Sequence, residues 1–182
     1  MASSTLRWGA EGLGQRQEGL KAVRVLSRQE AVAWCQGHHV TLNNLALPER
    51  SDADLKFKIP VDAQERVDLV KRAMEAFADE PSYLVWFANW AVWPSGQRMH
   101  IFDRFRLSYG ETRRLIDSPG HVFDQKEIAD ATSFVTIAAL FLWDCYAVSQ
   151  QRTKLLFLSH DEHGATKGID LEAKVNWLTI VP

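Results

Sequence analysis

Apolar and polar residues alternate along the chain in segments that read in turn as strand and helix. Val23 to Leu26 is a short β-like run. Ser27 and Glu30 follow in capping-box spacing and predict a helix through Gln36, which Gly37 is placed to end. Residues 38–54 mix apolar and turn residues around Pro48 and read as a loop. Leu55 to Ile59 alternates apolar residues with Lys, the pattern of an edge strand with one wet face. Asp62 and Glu65 repeat the N-cap spacing, and Val67, Val70, Met74 and Phe77 then recur along one helical face.

The run from Tyr83 to Trp93 is apolar at both alternating sets of positions, as expected of a central strand covered on both sides, and Pro94-Ser95-Gly96 ends it. From Gln97, Met99, Phe102, Phe105 and Tyr109 suit the buried face of a second amphipathic helix, with Arg98, Asp103, Arg104 and Arg106 assigned to its wet side. Ser118-Pro119-Gly120 reads as a turn. Asp124 and Glu127 cap a helix to about Leu142 that is apolar almost all round. Cys145 to Val148 and Leu155 to Leu158 predict a hairpin, residues 160–168 an exposed turn, and Val175 to Val181 a last strand.

This order predicts an α/β fold, with α+β also consistent: one layered domain with a central mixed sheet of about five to six strands and about four helices. Residues 1–21 contain four Gly and no period, so they read as an irregular N-terminal arm before a single domain at 22–182.

Composition narrows the class. At 182 residues, 46% hydrophobic and 24% charged, the chain resembles a globular domain rather than a disordered one. Its net charge of -2 argues against broad adhesion to nucleic acid or an anionic membrane. Cys35 and Cys145, the only cysteines, sit in apolar contexts, and no disulfide framework or signal-peptide stretch is present. A cytoplasmic protein without a membrane span is therefore expected.

Two stretches could carry chemistry. His160-Asp161-Glu162-His163 holds metal-type ligands, and His160, Asp161 and His163 could serve a metal-dependent hydrolase with a further ligand such as His121 or Asp144. The spacing is not HExxH, however, and a solvated turn after a strand is the simpler account, so no metal site is favoured. The second stretch runs from Trp90 and Trp93 through Arg98, His100 and Arg104 to His121. It lies beyond the end of the central strand, where α/β sheets bind ligands, but it lacks the glycine patterns of phosphate loops. Tryptophan and arginine are also the residues that favour protein interfaces.

No complete catalytic pattern and no cofactor motif occur. The expectation is thus a non-enzymatic intracellular binding protein, an immunity-type or adaptor module that recognises a protein partner or itself through Trp90, Trp93, Arg98, His100, Arg104 and His121. The alternatives are the small metal-dependent hydrolase and a sensor of a small anionic ligand. Nucleic acid is disfavoured because the aromatics that would stack on bases share the face that must be buried.

Overall fold

The computed structural model describes residues 23–90, 98–172, 175 and 177–181. The elements are β1 (Arg24–Leu26), α1 (Arg28–Gly37), β2 (Leu55–Lys58), α2 (Ala63–Glu75), β3 (Ser82–Asn89), α3 (Met99–Leu107), β4 (Gly120–Asp124), α4 (Ile128–Phe141), β5 (Asp144–Ser149), β6 (Leu155–Leu158) and β7 (His163–Lys167). A 3-10 turn at Gln125–Glu127 leads into α4. The strands form one seven-stranded sheet in the order β1-β4-β3-β5-β6-β7-β2. Every pairing is antiparallel.

The mixed α/β domain matches the expectation; among the described residues there are four helices, as expected, while the sheet has seven strands rather than five to six and no parallel pair. Two strands account for the difference. β4 arises where a turn and a cap were expected, and β7 where an exposed turn was expected. Of the last strand expected at Val175 to Val181, the described residues form only an isolated bridge, Ile180 to Phe57 on the outer side of β2, closed by Lys58 N–H to the Thr179 carbonyl at 2.9 Å and Val181 N–H to the Lys56 carbonyl at 3.0 Å. The N-terminal arm expected at 1–21, including Trp8, and Trp93 lie outside the described residues.

The three local cap signals act as their spacing implies. Ser27 and Glu30 form a reciprocal capping box, Asp62 accepts from the Glu65 amide, and Asp124 and Glu127 cap the 3-10 turn before α4. Each satisfies backbone donors that a helix start otherwise leaves unpaired.

β3 is central and buried on both faces. Tyr83, Val85 and Phe87 point into a core shared with α2, α3 and α4, whereas Leu84 and Trp86 point into a second cluster under α1. Gly120 in β4 lets α1 approach: a Cβ there would stand 3.0 Å from the Ala31 Cβ and 3.2 Å from the Leu26 Cβ. At the far end of β3 the register shifts between Phe87 and Asn89, a bulge that brings Asn89 opposite Asp144. No helix among the described residues is long and apolar enough to cross a membrane.

Candidate functional site

α3 presents two unlike faces. Phe102 and Arg106 are one helical turn apart and both point inward. Phe102 packs on Phe87, Phe134 and Trp143. Arg106 is 1% exposed, not on the wet side where residue type had placed it. The burial is tolerated because its fork is nearly filled. Nε donates to His121 Nε2 at 3.1 Å, Nη1 to the Arg113 carbonyl at 2.9 Å, and Nη2 to the Ser118 carbonyl at 2.9 Å and to Ser118 Oγ at 2.5 Å. Glu111 and Asp103 lie near enough to offset its charge, the latter at 3.9 Å. Arg106 therefore ties the loop that follows α3 to the start of β4.

His121 belongs to this buried network and does not reach the surface. Because Nε2 accepts from Arg106, the ring proton sits on Nδ1, which has no partner in hydrogen-bond geometry among the described residues. Burial, then the Arg106 charge, hold its pKa well below the ordinary histidine value, against a smaller favourable effect of the Pro119 and Val85 backbone.

The unfolded chain accordingly binds a proton near pH 6.5 that the folded chain refuses. Stability is complete above that pH and falls as the pH drops below it, by up to about 1.4 kcal/mol per pH unit. Urea denaturation between about pH 6.5 and 5 is expected to show this loss, and His121→Gln to flatten it. An equal slope in both proteins would contradict the assignment.

The opposite face of α3 is open. Arg98, His100 and Arg104 are exposed, and Ile101 (42%) and Leu107 (55%) are exposed beside them. Arg104 stands three residues from each of the two, so the three side chains are neighbours on the helix. Ile116 adds a further exposed apolar side chain on the next turn. Of the seven large hydrophobic residues exposed among the described residues, three thus fall within 101–116. Arg113 and Arg114 are paired with Glu111 and Asp117, but no carboxylate among the described residues lies within ion-pair distance of Arg104. Trp90 is half-buried and packs against the core.

The second sequence candidate folds differently from a metal cradle. Asp144 Oδ1 accepts both the His160 amide and His160 Nδ1, each at 2.7 Å, and His160 Nε2 lies 3.3 Å from Asp161 Oδ1. Asp144 is thereby brought to His160, while His121 is not. His163 is the exposed first residue of β7, opposite Lys58. Among the described residues no group of three His, Cys, Asp or Glu side chains is arranged to hold a metal ion. The imidazole closes the β6–β7 turn by bonding the carboxylate at the start of β5. Cys35 and Cys145 are buried free thiols, and burial pushes the Cys35 pKa up to about 12, away from nucleophilic use.

Beside that turn, an open groove of about 500 Å³ crosses β6, β7 and β2. Its floor is Phe157, Ser159 and Ala165, and its walls include Arg50, Lys56 and His163. Sequence reading missed Arg50 and Ser159 as site residues, and took Lys56 only as part of a wet strand face.

No family model, curated protein or solved structure matches the chain.

Proposed function

We propose that the protein is a non-enzymatic intracellular binding module, of the immunity or adaptor type, that docks an acidic protein surface on the outer face of α3. One observation carries this reading: Ile101 and Leu107 are exposed on either side of Arg104, which has no carboxylate within ion-pair distance among the described residues. Clustered exposed apolar side chains mark interaction surfaces more often than scattered ones, and arginine is among the residues that dominate interface energies. Between residues 98 and 117 five arginines stand against Asp103, Glu111 and Asp117, and this positive excess selects an acidic partner, since opposite potentials steer encounter and like charges repel. Buried Arg106 serves the surface from behind by holding α3 and the following loop in one arrangement, which limits the ordering cost of binding.

Leu107→Asp and Arg104→Glu are each expected to weaken binding at least about tenfold while changing stability by no more than about 0.5 kcal/mol. The check is fluorescence-detected sedimentation of labelled protein in an extract of the cells that produce it. The wild type should sediment faster than a 20.7 kDa monomer and both variants as that monomer. Purified protein run alone separates self-association from capture of a different chain. A monomeric wild type in extract, or variants that sediment like it, would count against the proposal.

A further inference from the structure

The groove over β6, β7 and β2 sets two cations, Arg50 and Lys56, over an apolar floor. Elsewhere among the described residues, lysines have found carboxylates: Lys167 pairs with Asp52, and Lys154 with Asp79 and Glu80. Arg50 and Lys56 have no such partner within ion-pair distance among the described residues, although both line one cavity. The Arg50 guanidinium lies over the Phe157 ring, 4.1 Å from its centroid, a contact that holds the cation at the groove by its face and leaves its N–H edges to donate.

The sheet register supplies the rest. Phe157 faces Ala165 across β6 and β7, and Ala165 faces Lys56 across β7 and β2, so the three share one face of the sheet. Ser159 is buried at the end of the same row. Its Oγ accepts the Asp161 amide at 3.3 Å, which leaves its own proton to donate. Asp161 also lines the groove, but its Oδ1 is engaged 3.3 Å from His160 Nε2. Val181 extends the apolar floor, and His163 stands on the rim.

We infer that this groove is a binding site for a small-molecule phosphate monoester with a flat apolar body. The phosphate oxygens would take the Arg50 fork, the Lys56 ammonium and the Ser159 hydroxyl, and the body would lie on Ala165 and Val181. A phosphate fits better than a carboxylate because three separate donors meet three acceptor oxygens. The cavity falls in the size range of small-molecule sites, about 300–1,000 Å³. It shares no residue with the outer face of α3, so this inference stands or falls separately from the proposed docking surface.

The test is an NMR titration of the full chain with phenyl phosphate, inorganic phosphate and benzyl alcohol. Phenyl phosphate should bind saturably, with shifts at the Lys56, Ser159 and His163 amides, and more tightly than inorganic phosphate. Benzyl alcohol should not move those amides. Joint Arg50→Ala and Lys56→Ala substitution is expected to weaken binding at least about tenfold. Lys56→Gln alone, which leaves the Arg50 stack on Phe157 intact, should weaken it severalfold. No saturation up to about 10 mM phenyl phosphate, a millimolar limit corresponding to negligible affinity, would overturn the inference. So would equal responses to phenyl phosphate and benzyl alcohol, or variants that titrate like the wild type.

Discussion

Replacing Arg106 with Ala is expected to cost about 3–5 kcal/mol of folding stability, a large part of the about 5–15 kcal/mol available to a domain. The side chain is 1% exposed and donates to four acceptors. Truncation leaves the Ser118 and Arg113 carbonyls, Ser118 Oγ and His121 Nε2 without their donor, and each buried unsatisfied group costs about 1–3 kcal/mol. Entry of water offsets part of that sum, which is why the expected loss is smaller than four full penalties. Arg106→Met refills the volume but restores no hydrogen bond, so it should recover only a minor share. Arg106→Lys keeps the charge but loses the planar fork, and should fall between them. Urea denaturation measures all three, and a loss below about 1 kcal/mol for Arg106→Ala would show that the network is not what holds the loop.

Trp86→Ala is expected to cost a similar amount, about 3–5 kcal/mol, through a different mechanism. Trp86 is 1% exposed at the centre of β3, with Tyr146 on one neighbouring strand and Gly120 on the other. Its side chain fills the layer between the sheet and α1, whose Trp34 and Cys35 belong to the same cluster. Truncation opens a cavity that α1 cannot collapse into, because the Gly120 backbone already lies close under Ala31. Trp90→Ala should cost less, since Trp90 is only half-buried beyond the end of β3. The denaturation midpoint should fall without a change in slope, and equal losses at the two tryptophans would contradict the layering described.

The parts of the fold legible in sequence are those fixed by local spacing. Ser27 with Glu30, and Asp62 with Glu65, mark helix starts through bonds within one turn of chain. The double-faced run in β3 is equally direct, because alternation assigns faces whatever the neighbouring strands are. What escaped depends on distant pairing. β4 is only five residues long, begins just after the Ser118-Pro119 turn and carries a histidine as its second residue, yet it is held between β1 and β3. β7 has no large apolar residue. Its Gly164 is required by the partner strand: a Cβ there would stand 2.1 Å from the Phe57 ring.

The candidate sites were partly legible for the same reason. Arg98, His100 and Arg104 are surface residues, as the helical period implied. Arg106 shares the inner face with Phe102 by that same period, so position was the better guide and residue type misled. The pairing of Asp144 with His160, and the meeting of Arg50 with Ser159, follow from strand order, which alternation cannot supply.

The central claim, that the outer face of α3 contacts a protein partner, is tested most directly by site-specific photo-crosslinking in the producing cells. A photoreactive side chain at position 107 should yield a discrete adduct whose crosslinked segment is rich in Asp and Glu. The same group at position 61, where Val61 is 83% exposed on the loop before α2, should not yield it. No adduct from position 107, or the same adduct in equal yield from both positions, would contradict the claim.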